Sequence, residues 1–226
     1  MELFSLISSL PYLKLFEKPA ITSEKFLYFC SSYFHGRKMA LLERLTLVPG
    51  QGTSDKKSLI LKGLTELSGR KMETDGSVYD MAFRSFEAEI TRSFPERSVA
   101  RMYTRYEMAL RNSIAKVRAA KWKQGEMGPA ARLDGGYMAD ADRVVQEAFA
   151  APNPLERERI LDRARWEKLD EYARIFNLHG FSFDAVCAYC LKLQIAEKWA
   201  ERSEKAAAGN LDRAAELVRA VNTENN

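Results

Sequence analysis

The sequence contains few of the residues that build metal and disulfide sites. Among its 226 residues there are only two histidines and three cysteines. An odd number of cysteines without the spacing of a disulfide framework is typical of a reducing compartment, so we expect a cytoplasmic protein. With so few of the usual ligands, no zinc centre and no other metal or cofactor site is predicted.

Long apolar runs are also missing. No uninterrupted run reaches the roughly 18 residues that a membrane-spanning helix needs, so we expect no direct insertion into a membrane. The opening residues 1–16 are largely apolar, but they lack basic residues ahead of the apolar run and a small-residue cleavage site. We interpret them as part of the folded protein and not as a signal peptide.

Alternation of apolar and polar residues, the mark of a strand, is absent over any useful length, whereas helical spacings recur through most of the chain. The sequence therefore predicts an all-α protein, an elongated multi-helix bundle with a long central helical hairpin. We expect residues 1–226 to form a single helical unit, since this length can bury a sizeable core. The best internal boundary is the stretch with two glycines at residues 68–77, which would separate an N-terminal part, residues 1–75, from a C-terminal bundle, residues 76–226.

The central hairpin is predicted over residues 155–199. In its first helix, apolar residues recur at three- and four-residue steps, and the stripe that they form would face a core. Lys168 lies within this stripe, where its stem can cover apolar surface while its ammonium stays in water. The apolar members of the stripe are Leu161, Ala164, Leu169, Tyr172, Ala173 and Phe176.

The second helix of the hairpin follows a predicted turn at residues 177–182. Ser182 can cap it, and Asp184 adds a negative charge to its first turn, where the helix dipole favours one. Residues 183–195 are apolar nearly all round, which predicts a buried helix at the centre of the bundle. We expect a solvated helix beyond them, and the Gly209–Asn210 pair is expected to separate it from a last short helix.

Positive charge is concentrated in one segment of the chain. Residues 92–123 contain nine lysines and arginines and two glutamates, a balance of +7 in a protein whose net charge is +4. Pro95 and Glu96 suit the first turn of a helix. We expect that helix to run to about Gln124, before the glycine-rich residues 125–136.

Five arginines of this basic segment are candidates for binding a partner. Spacings of four residues place the first three on one ridge of the helix, and Glu107 is positioned to pair with the fourth. The ridge can be an ordinary solvated face, a docking strip for an acidic protein, or a contact for a nucleic-acid backbone. Base stacking would also need exposed aromatic rings, for which Tyr103 and Trp122 are candidates. The five arginines are Arg97, Arg101, Arg105, Arg111 and Arg118.

No constellation of residues predicts catalysis, and we expect neither catalytic residues nor an enzyme. Cys187 and Cys190 have a CxxC spacing, but they lie one turn into an apolar helix, which favours core packing over a redox or metal role with His179. Asp170 and Glu171 are adjacent and point to different helix faces, so we expect solvation or ion pairing with Lys168 or Arg174, and no joint acid–base work. Phosphate-binding and serine-nucleophile motifs are absent.

Three stretches near the C-terminus form a signature: RWEKLDE at residues 165–171, HGF at residues 179–181 and AYCLKLQIAEKW at residues 188–199. Near the N-terminus, residues 6–13 read LISSLPYL. As a pair, these ends resemble a poorly characterised family whose genes lie beside those of bacterial V-type ATP synthase subunits. The resemblance implies a role alongside that complex.

The basic segment carries a second, weaker resemblance. Residues 107–121, EMALRNSIAKVRAAK, are similar to a helix of the V/A-type ATPase subunit called C, or d in eukaryotes. That subunit is an all-helical funnel that rests on the rotating membrane ring and receives the foot of the central shaft. The resemblance implies a helical protein that works by docking.

Together these observations predict a non-catalytic accessory or central-stalk-like subunit of a V-type ATP synthase that acts by protein–protein docking. The expected partners are other subunits of the complex, the central shaft or the membrane ring, which would place the protein in the cytoplasm or at the inner face of the membrane. The alternative is a nucleic-acid-binding helical protein that uses residues 92–123. Self-association is left open.

Overall fold

The computed structural model describes residues 2–48, 76–121, 138–176 and 181–224, and these residues form helices and no strand. The prediction of an all-α protein is therefore confirmed. Four features predicted from the sequence lie wholly or largely outside the described residues: the internal boundary, the glycine-rich stretch, the turn that carries His179, and Trp122. The helices are α1 (Glu2–Ser9), α2 (Ser23–Ser31), α3 (Arg37–Leu45), α4 (Gly76–Ser93), α5 (Val99–Lys121), α6 (Ala139–Ala150), α7 (Pro154–Phe176) and α8 (Phe183–Glu224).

The centre of the described structure is the first half of α8. Eight of its apolar residues are almost completely inaccessible to solvent, as the all-round apolarity of this stretch predicts. Ser182 caps this helix, since its Oγ accepts a hydrogen bond of 3.2 Å from the backbone N–H of Ala185. The buried residues are Val186, Cys187, Ala188, Cys190, Leu191, Leu193, Ile195 and Ala196.

The helices α5, α6, α7 and α8 pack together around this core. α5 packs against α6, α7 and α8, while α6 packs on α7 and α7 on α8. α2 and α3 pack against α8, and α4 packs against α5. Side chains from the N-terminal helices, such as Leu6, Phe26 and Leu42, belong to the same hydrophobic cluster as Leu169 and Leu191. The two halves of the sequence thus share a core.

Helix α5 begins at Val99 and not near Pro95. Two groups hold its N-terminus at this position: the N–H of Val99 donates to Oδ1 of Asp184 at 2.7 Å, and Ser98 Oγ accepts from the N–H of Arg101 at 3.4 Å. A distant carboxylate satisfies one of the free N–H groups that every helix start leaves. Since Asp184 is 85 residues away in the sequence, the local pattern could not show this boundary.

Two other helix ends also differ from the sequence predictions. Thr22, and not Ser23, caps α2, because the Thr22 Oγ1 accepts from the N–H of Lys25 at 3.3 Å. The predicted break at the Gly209–Asn210 pair is wrong, since α8 is a continuous helix of 42 residues. A glycine inside a helix costs only about 1 kcal/mol, and the alanine- and leucine-rich residues on both sides favour helix.

The prediction of a solvated helix beyond residue 195 is wrong for its first turn. Lys198 and Trp199 are buried at 3% and 6% exposure, and Glu197 is half-buried. Lys198 faces the other helices, as described below, whereas Glu204 and Lys205 further along the helix are exposed. None of the described helices is both long enough and apolar enough to cross a membrane.

Truncation of the core should show how much the central helix contributes to stability. Leu191→Ala removes a fully buried side chain, and we expect it to lower the free energy of unfolding by about 2–5 kcal/mol. Urea denaturation followed by circular dichroism measures this loss. Leu155→Ala, at a half-exposed position, is the matched control and should change stability by less than about 0.5 kcal/mol. Similar losses for both variants would contradict the central placement of α8.

Candidate functional site

The structure does not place the first three arginines on one helical ridge. Arg97 is exposed and precedes α5, so only Arg101 and Arg105 lie on the helix. Arg105 pairs with the exposed Glu96 at 3.2 Å, and Arg101 is half-buried. These arginines therefore form an irregular basic surface around the start of α5. Arg118, which is exposed, lies near the other end of the same helix.

Arg111 differs from the other four arginines because it is held inside the protein. Its Nε donates to Oε1 of Glu107 at 3.0 Å, which confirms the predicted i,i+4 pair. Its guanidinium also lies 4.1 Å from the ring centroid of Phe83 on α4, a cation–π distance. With 14% of its side chain exposed, Arg111 joins α4 to α5 and offers little to an external partner.

Of the two aromatic residues that were candidates for base stacking, the structure places only one. Tyr103, one of the two candidates, is 1% exposed and belongs to the core. The other candidate, Trp122, lies outside the described residues. Stacking platforms need accessible rings, so Tyr103 gives the nucleic-acid hypothesis no support.

A buried network of charges joins α5, α7 and α8. Its first half is a two-pronged contact between Arg165 and Glu107: Arg165 Nε donates to Oε2 at 2.7 Å and Nη2 donates to Oε1 at 3.1 Å. Bidentate pairs of this kind are the strongest and most directional ion pairs in proteins. Both side chains are at least nine-tenths buried.

The second half of the network is centred on Asp162, which is fully buried. Its Oδ1 accepts from Arg165 Nη1 at 2.9 Å, its Oδ2 accepts from Trp199 Nε1 at 2.8 Å, and its Oδ2 also pairs with the ammonium of Lys198. Glu158 meets the same ammonium at 3.1 Å. We call Glu107, Arg165, Asp162 and Lys198 the buried charge network; it contains two anions and two cations and is neutral.

The network holds its carboxylates in the charged form. Burial alone would raise the pKa of Glu107, but the nearby charges of Arg165 and Arg111 outweigh it and keep that pKa below its ordinary value. Burial likewise opposes ionisation of Asp162, and the charges of Lys198 and Arg165 with their hydrogen bonds lower its pKa. A buried charge costs several kcal/mol unless it is paired, so each member depends on the others.

Ion pairs also occupy four other charged residues of the C-terminal signature. The prediction that the ammonium of Lys168 stays in water is wrong, since it contacts Asp140 at 2.6 Å and Glu171 at 2.7 Å. Lys192 pairs with Asp170, and its ammonium lies 4.8 Å from the Trp166 ring. The expected pairing with Lys168 is confirmed for Glu171, whereas the partner of Asp170 is Lys192 and neither Lys168 nor Arg174.

Two carboxylates of α8 hold the starts of other helices. Asp184 accepts from Val99 at the start of α5, and burial raises the pKa of this carboxyl even though that hydrogen bond lowers it. Glu197 accepts two hydrogen bonds from Ser23 at the start of α2. The Ser23 N–H donates at 2.5 Å and the Ser23 hydroxyl donates at 2.6 Å. A carboxylate at a helix N-terminus satisfies free N–H groups and the helix dipole.

The cysteines are part of the core, as predicted. Cys30, Cys187 and Cys190 are fully buried and form no disulfide. Burial raises the pKa of the Cys30 thiol to about 12, and burial together with nearby Cys190 raises the pKa of Cys187 well above its ordinary value. The reactive thiolate is therefore disfavoured at neutral pH. His179, their suggested co-ligand, lies outside the described residues.

A groove brings together the two ends of the chain that carry the signature. It has a volume of about 210 Å³ and lies between the residues after α1 and the first turns of α8. The hydroxyl of Tyr189 closes its floor by donating to the carbonyl of Pro11 at 2.9 Å. We call it the N-terminal groove; it is lined by Ile7, Leu10, Pro11, Tyr12, Leu13, Ala185, Tyr189 and Lys192.

The buried charge network is not predicted by the sequence. Asp162 and Arg165 are spaced as neighbours on one helix face, which is also the spacing of an ordinary solvated ion pair. A usable signal was Trp199 next to Lys198, because a large aromatic ring beside a lysine in a helix that is apolar upstream suggests burial. The pairing of Arg165 with Glu107 on another helix cannot be predicted from the local sequence pattern, because the two residues are 58 positions apart.

Removal of one charge from the network should be costly. Glu107→Gln keeps the shape of the side chain but leaves Arg165 without its bidentate carboxylate, and we expect a loss of about 3 kcal/mol in the free energy of unfolding. Urea denaturation measures it. Glu96→Gln, which loses an exposed pair with Arg105, is the control and should cost less than about 1 kcal/mol. Equal losses for Glu107→Gln and Glu96→Gln would show that the buried pair contributes no more to stability than an exposed one.

The same network predicts acid lability. Glu107, Asp162 and Glu158 have folded-state pKa values below their ordinary ones, so the unfolded chain binds their protons first and stability falls as pH drops below about 5. Asp184, whose pKa is raised, acts in the opposite sense and offsets part of the loss. Urea midpoints measured from about pH 7 to about pH 3 should decrease steadily, and less steeply in Glu107→Gln. A flat profile would contradict the pairing described here.

Comparison with known proteins gives one match. Residues 140–222 match the model of a family described as a protein of unknown function, DUF2764. No curated protein and no solved structure is significantly similar to this chain. The matched residues contain α7 together with most of α6 and α8, and so include Asp162, Arg165 and Lys198 of the buried charge network, whereas Glu107 lies outside them.

Proposed function

We propose that this protein is a non-catalytic accessory or central-stalk-like subunit of a V-type ATP synthase and acts by docking onto other subunits. The observation that carries the proposal is that the two segments with the resemblance meet in the fold. Pro11 of the N-terminal segment accepts a hydrogen bond from Tyr189 of the C-terminal signature, and both line the N-terminal groove. Segments far apart in sequence thus form one surface, which favours reading them as a single family feature.

The character of the described residues also favours docking over chemistry. Within the described ranges, no group of three or more histidine, cysteine or acidic residues is arranged to hold a metal ion. The strongest departures from ordinary pKa values belong to groups that are paired or buried for structural reasons, such as Arg165 and Cys187. Charged side chains such as that of Arg97 remain accessible at the surface.

The basic surface around the start of α5 is the proposed docking strip. Arg97 and Arg101 form no ion pair with any described residue, and Arg105 shares its charge only with the exposed Glu96. An exposed pair contributes about 1 kcal/mol or less, so an acidic partner can replace Glu96 at little cost. Rim charges of this kind mainly accelerate association and select the partner.

Reversal of this charge should weaken assembly and leave the fold intact. We expect the triple variant with Arg97, Arg101 and Arg105 changed to Glu to recover at least about tenfold less ATP synthase subunit from native membranes than the unmodified protein. The matched control reverses three exposed arginines on other helices, Arg143, Arg163 and Arg174, and should retain recovery. Circular dichroism should give similar helix content for both variants.

The salt dependence of binding separates this function from nucleic-acid binding. Neutralising about five phosphates gives a log–log salt slope near −4 to −5, whereas docking through a packed apolar centre changes affinity only modestly with salt. We expect no tight binding to DNA or RNA at physiological salt. Nanomolar binding with the steep slope, together with no recovery of any ATP synthase subunit, would overturn the proposal in favour of a nucleic-acid-binding protein.

A further inference from the structure

Exposed cations at the start of α3 lie beside the corner between α4 and α5. Arg37, the first residue of α3, donates from Nη2 to the carbonyl of Ser93, the last residue of α4, at 3.1 Å. The ammonium of Lys38 lies 5.6 Å from the ring centroid of Phe183 and 5.9 Å from that of Phe34. Arg37 and Lys38 therefore reach the residues that lead into α5, although Arg37 and Ser93 are 56 positions apart in the sequence.

Aromatic packing holds these helix ends together. Phe183, at the start of α8, contacts the buried rings of Phe34 and Phe94, with centroid distances of 5.1 Å and 6.4 Å. The next residue of α8, Asp184, accepts from the N–H of Val99 at the start of α5. The starts of α3, α5 and α8 and the end of α4 thus meet in one region, and the cations that they carry become neighbours.

The cations of this region are held by neutral groups. Arg37 donates to the carbonyl of Ser93, Arg92 donates to the carbonyl of Ala88 at 3.1 Å, and Lys38 lies over aromatic rings. Contacts of this kind fix a side chain but do not cancel its charge. We call the following residues the basic corner, and none of them forms an ion pair with a described residue: Arg37, Lys38, Arg92, Arg97 and Arg101.

A carboxylate of the chain itself lies next to the basic corner. Glu96, whose side chain is 69% exposed, stands between Arg92 and Arg97 in the sequence, and its Oε1 pairs with Nη2 of Arg105 at 3.2 Å. The pair shows that this surface accepts a carboxylate. Since an exposed pair of this kind contributes little stability, a carboxylate from outside can compete with Glu96 for Arg105.

The chemistry of the basic corner favours carboxylates at fixed positions. Four of its five cations are arginines, whose planar fork matches an oxyanion bidentately, and the backbone contacts of Arg37 and Arg92 restrain two of them. An anionic lipid surface is instead bound by mobile charge together with inserted apolar side chains. Among the described residues, the exposed large apolar side chains lie outside α3, α4 and α5.

Nucleic acid fits the basic corner less well than protein does. A strand of bases needs accessible ring faces for stacking, but Phe34 and Phe94 are only 4% and 5% exposed. The ammonium of Lys38 already lies over the rings of Phe34 and Phe183. The exposed carboxylate of Glu96 would also repel a continuous line of phosphates, whereas the carboxylates of a protein segment can be spaced to avoid it.

We propose that the basic corner, together with Arg105, binds an acidic segment of a protein partner through its side-chain carboxylates, and that Glu96 is an internal competitor which the segment displaces. For the identity of the complex that supplies the segment, this inference rests on the proposed function. It extends the docking strip from α5 to α3 and α4. Each exposed ion pair strengthens binding by at most about fivefold, so several carboxylates must bind together.

Fluorescence anisotropy with a labelled peptide of eight glutamates tests the proposal on the full chain. At an ionic strength of about 20 mM, where screening is weak, we expect a Kd of about 10–200 µM. Glu96→Gln should tighten binding by about two- to fivefold, because it frees Arg105 and removes a like charge. A merely structural role of the corner would not produce this gain.

A pair of double variants tests the contribution of α3. Arg37→Gln with Lys38→Gln should weaken peptide binding by about three- to tenfold. The matched control, Arg143→Gln with Arg163→Gln, removes the same net charge from exposed positions on α6 and α7 and should change the Kd by less than about twofold. Circular dichroism should give the helix content of the unmodified protein for all variants.

Four results would overturn the proposal. The first is no binding of the peptide at about 500 µM protein. The second is an equal loss in the two double variants, because net charge and not the corner would then attract the peptide. The third is unchanged or weaker binding by Glu96→Gln. The fourth is binding of an oligothymidylate with the same number of charges, or of phosphatidylglycerol vesicles, as tightly as the peptide, which would assign the corner to phosphate.

Recovery of ATP synthase subunits from native membranes separates this inference from the proposed function. We expect Arg37→Gln with Lys38→Gln to lower recovery as well. Full recovery with this variant, alongside a loss when Arg97, Arg101 and Arg105 are reversed, would overturn the extension to α3 and leave the proposed function standing. Peptide binding as expected, with no subunit recovered by the unmodified protein, would overturn the proposed function and support an acidic segment from another protein.

Discussion

The structure depends on the pairing of four charges that have been taken out of water. Glu107 and Asp162 are held between Arg165 and Lys198, and the four residues come from three helices. Transfer of such groups from water costs several kcal/mol each, and the cost is recovered only when every charge has its partner at short distance. The relative placement of α5, α7 and α8 is therefore specified by geometry, where apolar packing alone would tolerate several arrangements.

Charged residues of this protein fall into two groups with different roles. Arg111 and Arg165 are directed inward and hold helices together, whereas Arg97, Arg101 and Arg118 remain at the surface. The distinction cannot be drawn from residue type or from membership of a helix, since Arg101 and Arg118 lie on α5 as Arg111 does. The role of each arginine depends on whether its position faces another helix. Arg111 does so, and a partner therefore cannot reach it.

The sequence was sufficient to predict the helices and the central position of residues 183–195, because all-round apolarity admits no exposed face. It failed where a distant group decided the outcome. The start of α5 depends on Asp184, and the burial of Lys198 depends on Asp162. Each contact joins residues far apart in the chain. From the neighbouring sequence alone, Asp184 and Lys198 are therefore expected to be solvated charges. The continuity of α8 through Gly209 was missed because the favourable neighbours outweighed one unfavourable residue.

The attachments of α5 to α8 have a mechanical consequence. Asp184 holds the beginning of α5, and Lys198 reaches it through Asp162 and Arg165. These two points are 14 residues apart on α8, or about 21 Å along its axis. Two rods joined at separated points cannot slide past each other without breaking both joints. A pull along the axis of α5 is therefore resisted as shear between α5 and α8, and the two helices behave as one stiff beam.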